Sequence, residues 1–156
     1  MPADLTQDIL NSDVITLLTR AIPNPELISD TAANDSDKTL TVDSNEIWEV
    51  LSLWVEYSTS ATGGTRTVAL LITDASDDII CSLTGNHTIT TGESHKLLWA
   101  PGLERSDSEN ALGIVYYPFH PKYLPPGYKI RVYDTNAVDT DGDDMIIHLM
   151  VNRYDV

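Results

Sequence analysis

Glu46-Ile47-Trp48-Glu49-Val50-Leu51-Ser52-Leu53-Trp54-Val55-Glu56-Tyr57-Ser58 is the longest strand candidate of the chain. Successive side chains of a strand point to opposite faces. Strict alternation puts Ile47, Leu51, Leu53, Val55 and Tyr57 on one face and Trp48, Val50, Ser52, Trp54 and Glu56 on the other. Both faces carry apolar groups, which predicts a strand covered at least in part on both sides.

Downstream, Thr62-Gly63-Gly64-Thr65 offers glycines for a hairpin turn, and Thr65–Thr73 reads as the returning strand. Asp74–Asp77 is a turn and Ile79–Thr84 a strand, with Ile89 marking a short one beyond it. His95–Trp99 stops at Pro101-Gly102, and Leu112–Tyr117 stops at Pro118. Pro125-Pro126-Gly127 is a stiff turn before Tyr128–Tyr133. Met145–Asn152 alternates Met145, Ile147, Leu149 and Val151 with other residues. With Thr39–Val42 upstream, the pattern comes to about eight strands with turn signals every eight to twelve residues. That spacing predicts an all-β antiparallel sandwich of jelly-roll type, occupying residues 38–156.

Residues 1–37 differ. Leu5, Ile9, Leu10, Val14, Leu17 and Leu18 recur at three- to five-residue steps, as on one face of an amphipathic helix. Ser12 or Asp13 could cap such a helix, although Val14-Ile15-Thr16 also suits a strand. Pro23 and Pro25 break regular structure, and Ser29–Lys38 is rich in Asp, Asn and Ser. The segment reads as an N-terminal arm and linker, partly helical, with those six apolar residues as interface candidates.

Charge narrows the function. Nine Lys and Arg stand against 24 Asp and Glu among 156 residues, a net charge of −15. Such a surface repels phosphate backbones, so nucleic acid and anionic membranes are not expected partners. No apolar run reaches the ~18 residues of a membrane span, and the first residues, with Asp4 and Asp8, do not resemble a secretory signal. Cys81 is the lone cysteine; it cannot form an intrachain disulfide and reads as a small core residue.

No catalytic motif emerges. Nothing selects a pair of carboxyls across a cleft, and no Gly-x-Ser-x-Gly elbow occurs; the chain is read as a non-enzyme. The one metal candidate is the acidic run Asp139, Asp141, Asp143 and Asp144, since alternating carboxylates suit calcium. An EF-hand beginning at Asp139 fails, because Asp144 and Met150 occupy its glycine and glutamate positions. An acidic loop with a tight turn at Asp141-Gly142 is the plainer account, and no cofactor is expected. His87, His95, His120 and His148 show no short ligand spacing and read as surface or rim residues. Trp48, Trp54, Trp99 and the later tyrosines suit either a core, a protein interface or a sugar platform. The pair Tyr116-Tyr117 points to opposite faces, and Tyr117 is added to the interface candidates.

Three segments carry a resemblance: Glu46–Glu56, Leu124–Asp134, and Ala137–Asp139 leading to Asp143–Met145. Over residues 44–152 the pattern resembles small virion proteins of tailed, especially marine, bacteriophages. That resemblance implies a jelly-roll accessory protein of the virion, made in the bacterial host cytoplasm. With the acidic single domain, the arm and the surplus of apolar strand faces, the expected role is a decoration or cement protein bound to the major capsid protein and other virion proteins; the aromatic set and the acidic loop suit, as the alternative, a tail- or fibre-associated module that touches host glycans or a receptor. A homo-oligomer is expected, with a trimer the natural form for surface jelly rolls.

Overall fold

The computed structural model describes residues 25–33, 36–106, 108–120 and 123–156. The described chain forms ten strands and no helix. They are β1 (Pro25–Asp30), β2 (Asp37–Thr41), β3 (Glu46–Ser58), β4 (Val68–Thr73), β5 (Ile79–Thr84), β6 (Ser94–Ala100), β7 (Ile114–Pro118), β8 (Tyr123–Leu124), β9 (Lys129–Asp134) and β10 (Asp144–Asp155).

The strands divide between two sheets. The first runs β1-β10-β3-β6-β7, with β8 also on β3; the second runs β2-β9-β4-β5. Four antiparallel pairs nest inside one another: β1 with β10, β2 with β9, β3 with β6, and β4 with β5. The chain is thus one long antiparallel ribbon, closed at the β4–β5 hairpin. Successive pairs of the ribbon fall alternately into the two sheets, and the contacts β10–β3 and β9–β4 complete them. This rolled ribbon is a jelly roll, the double Greek key expected.

One departure from the alternation decides where the tryptophans go. Met150 pairs with Ser52 but Val151 pairs with Val50, so Leu51 is an extra residue, a β-bulge. A one-residue insertion inverts the faces on one side of it. Trp48 and Val50 therefore join Leu53, Val55 and Tyr57 in the core, all at 3% exposure or less. Trp54 faces outward and is half-buried. The two apolar faces read from strict alternation are largely one face, split by the bulge.

Other expectations are corrected. The boundary between residues 37 and 38 does not separate arm from sandwich, because β1 is hydrogen-bonded along β10 from Pro25↔Asn152 to Asp30↔Ile147. Lys38 is fully buried, and its ammonium donates to Asp30 Oδ1 (3.3 Å) and the Ala32 carbonyl (2.8 Å), tying β1 to β2. Gly63-Gly64 does not turn a hairpin, since β3 and β4 belong to different sheets. Ile89 makes an isolated bridge with Arg66 rather than a strand. β6 and β7 pair in parallel, and the connection over 101–113 has the length a parallel crossover needs.

The core fills the space between the sheets. Trp99 and Tyr117 stack within it, ring centroids 4.9 Å apart and planes at 23°. Gly85 lies against this pair: a β-carbon there would stand 2.9 Å from the Tyr117 hydroxyl and 2.8 Å from the Val68 carbonyl. Any side chain at 85 would push on backbone as well as on the tyrosine.

Candidate functional site

The interface candidates Leu5, Ile9, Leu10, Val14, Leu17 and Leu18 lie outside the described residues. Tyr117 is not an interface residue of the chain's surface: it is 3% exposed, within the core. Its neighbour Tyr116 is the one that faces out, half-buried.

The acidic loop joins β9 to β10, and the carboxylates of Asp139 and Asp143 already have partners. Asp143 is fully buried against the equally buried Arg66. The pair is bidentate, with Nε to Oδ2 and Nη2 to Oδ1 both at 3.0 Å. The Tyr57 hydroxyl donates to Oδ2 (2.8 Å) and the Ser60 amide to Oδ1 (2.7 Å). The remaining Arg66 nitrogen donates to the Thr62 and Gly64 carbonyls, both at 2.9 Å. Asp139 accepts from the hydroxyls of Ser60 (2.7 Å) and Thr62 (2.6 Å) and from the Gly142 amide (3.1 Å). A β-carbon at Gly142 would meet Asp139 Oδ2 at 2.5 Å, so the glycine lets the turn close. Asp141 is exposed and Asp144 half-buried at the start of β10.

Electrostatics follow the contacts. Burial pushes Asp143 up, but Arg66, the Ser60 amide and Tyr57 more than offset it, and the group ends below its ordinary value. Asp139 is lowered by Thr62 and Ser60. Tyr57 is pushed strongly upward by burial and by its bond to Asp143. This cluster is a clamp between the β3–β4 and β9–β10 connections. Its best-placed oxygens face protein donors rather than an open cavity.

A second polar cluster sits at the base of β10. Glu46 accepts from Trp48 Nε1 (2.9 Å) and Arg153 Nε (2.8 Å), and Arg153 also reaches Glu26 (2.8 Å). The Arg153 bond chiefly holds the Glu46 carboxyl below its usual range. Glu49 accepts from Tyr154 (2.7 Å) and Asn152 (2.8 Å). Together these fix the long strands β3 and β10 to each other.

Elsewhere, one group of nitrogen and carboxylate donors converges: His87, His95 and Glu109 lie with one ligand atom each within 4.8 Å of the others. Burial, and secondarily the neighbouring His95, lowers the pKa of His87. Sequence spacing did not reveal this group, because its members come from two loops and a strand.

The outer face of the first sheet is the other feature that the sequence reading missed. Strand registers align Ser29, His148, Trp54, Leu98 and Tyr116 in one row across five strands. The neighbouring rows hold Ile146, Glu56, Lys96 and Ile114 on one side and Leu27, Met150 and Ser52 on the other. Leu27 is 61% and Met150 40% exposed. Antiparallel sheets usually turn a polar face to water; here Trp54, Leu98, Tyr116, Ile114 and Ile146 stay half in it. The aromatics that suggested a sugar platform are divided, since Trp48 and Trp99 are core residues.

No protein family matches the sequence, and no curated protein does. Solved structures are similar only in outline. A VP2 subviral particle of infectious bursal disease virus superposes with a TM-score of 0.37 at 9% identity, over 83% of this chain and 33% of that one. Dimeric latent PorU from Porphyromonas gingivalis gives 0.38 at 10% identity, over 86% and 13%. An exo-β-agarase gives 0.39 at 10%, over 85% and 22%. The chain spans about a third of the viral chains it superposes on. A virus particle, a latent bacterial dimer and an exo-β-agarase share these values, so no function follows from them. The jelly roll stands on its own strand order.

Proposed function

We propose that this chain is a structural protein of a virion, a decoration or cement module that packs against major capsid subunits and catalyses nothing. The observation that carries this reading is the half-exposed row Trp54–Leu98–Tyr116 on the outer face of the first sheet, with exposed Leu27 and Met150 in the next row, on a chain of net charge −15. High like charge opposes indiscriminate association, while apolar side chains grouped on a surface favour a defined contact. The row Trp54–Leu98–Tyr116 supplies aromatic anchors of the kind that dominate interface energetics. The likeness of Glu46–Glu56 and Leu124–Asp134 to small phage virion proteins supports the virion setting. Asp143, Asp139, Glu46 and Glu93 are each held below their ordinary values by their hydrogen bonds, so none of these four is poised as a general acid.

The test is co-sedimentation of the purified protein with phage heads stripped of it. Trp54→Glu and Leu98→Lys place charge on the row without touching the core. We expect either change to abolish binding to heads, while Arg131→Glu on the outer face of the second sheet leaves it intact. Deleting residues 1–22, which spares β1, should weaken binding if the arm adds contacts. Equal binding by all of these variants would overturn the reading, and binding of the protein to isolated tails but not heads would replace decoration with a tail role.

A further inference from the structure

We propose that His87, His95 and Glu109 form a binding site for a divalent transition-metal ion, with zinc the best-suited ion. The three donors come from separate segments: the β5–β6 loop, strand β6, and the long 101–113 connection. His87 Nε2 lies 3.0 Å from His95 Nδ1, and Glu109 Oε1 lies 2.5 Å from that same Nδ1. Ligand atoms around a tetrahedral zinc, with bonds of ~2.0–2.1 Å, are about 3.3 Å apart. The two imidazoles are tilted by 57° with centroids 4.8 Å apart, so they do not stack. Their nitrogens meet edge to edge, as two ligands do.

A ring nitrogen carries at most one hydrogen, yet His95 Nδ1 faces both a second imidazole nitrogen and a carboxylate oxygen. The other nitrogen of His95, Nε2, faces Glu93 Oε2 at 3.2 Å. A single cation among the three atoms accepts one lone pair from each of them. It also leaves His95 Nε2–H to donate to Glu93, which is the carboxylate–histidine–metal order found behind metal ligands.

The supports of the site are built in. Glu93 accepts from the Thr90 amide at 2.8 Å, and its own amide donates to the Thr59 hydroxyl at 3.0 Å. Beside Glu109, the Asn110 side chain accepts from the amides of Leu112 (2.8 Å) and Ile114 (3.1 Å). Its amide group donates to the Tyr116 hydroxyl at 2.5 Å. Two imidazoles and one carboxylate suit zinc, copper, nickel or iron, whereas calcium and magnesium want oxygen-only sets. Three protein ligands leave a fourth position for water or an incoming donor. The ion would fasten the 101–113 connection, and with it the parallel strand β7, to β6.

Isothermal titration of the metal-free full-length protein with zinc should show saturable one-to-one uptake, undiminished by millimolar calcium. Cobalt should give the intense visible bands of a four-coordinate site. His87→Ala and His95→Ala should each abolish uptake. Glu93→Gln, one shell out, should weaken it by about 10-fold, and His120→Ala should leave it unchanged. Glu109→Gln changes only a rim side chain, so its loss of affinity is readable even if a histidine variant folds poorly; circular dichroism checks each. No one-to-one uptake by the parent protein would overturn the site. So would uptake unaltered in His87→Ala, His95→Ala and Glu109→Gln, or reduced equally in His120→Ala.

Discussion

Two carboxylate-bearing loop clusters flank β3, and they differ in how their lone pairs are used. Around Asp139 and Asp143 the acids are many, but Arg66, Tyr57, Ser60 and Thr62 supply hydrogens to them at 2.6–3.0 Å. Around His95 the acids are few, and a second imidazole nitrogen and a carboxylate oxygen both face one ring nitrogen. The first cluster is a closed clamp that holds two connections together; the second is where we place the transition-metal ion. The number of acids in a stretch of sequence is therefore a poor guide to metal binding. What counts is whether the fold has already brought donors to them.

The sharpest way to break the contrast is to open the clamp. Removing one partner of a fully buried ion pair strands the other without water or countercharge, at a cost of about 3–5 kcal/mol. Arg66→Ala or Asp143→Ala should lower stability by that much in chemical denaturation. Replacing both at once with Arg66→Met and Asp143→Leu should recover part of the loss, because no charge is then left stranded. If either single change costs less than about 1 kcal/mol, far below that range, the clamp is not what holds these connections.

Acid gives a smaller and more gradual effect. Asp143, Asp139 and Glu46 all sit below their ordinary values in the folded protein. As pH falls, the unfolded chain therefore binds protons first, and stability declines. The stability from these groups is complete above the ordinary carboxylate range, near 4, and is lost as pH drops through the lower folded values. Urea melts between pH 6 and pH 3 should show this decline, with a shallower slope in Asp143→Asn. An equal slope would mean that Asp143 titrates alike in both states.

Much of the fold was legible because strand-like runs sit between turn signals: β3, β5, β6, β9 and β10 lie where those runs predicted them. The exceptions are physical. Leu51 is an unmarked insertion, visible only once β10 is laid beside β3. β1 is an exposed edge strand opened by Pro25, and it exists through pairing with residues at the far end of the chain. The Arg66–Asp143 clamp joins positions 77 residues apart, so the run of aspartates showed one half of it. His87, His95 and Glu109 carry no spacing signal because loop shape, not helix or strand period, brings them together. The apolar row on the first sheet likewise needs four registers to be known before Trp54, Leu98 and Tyr116 become neighbours.

The smallest expected effect is also the most direct comparison of the two clusters. Calcium at millimolar concentration should leave the thermal midpoint where it was. To coordinate Asp143 the ion would have to replace a bidentate guanidinium and two further hydrogen bonds, and to coordinate Asp139 it would have to displace two hydroxyls and an amide. Asp141, exposed at the turn, offers one carboxylate where calcium takes six to eight oxygens. A ligand that binds only the folded state raises its stability by mass action, so even weak binding would show as a rise that grows with concentration. A calcium-dependent rise that disappears in Asp141→Asn would show that the clamp opens, and would make the acidic loop, after all, a metal site like its neighbour.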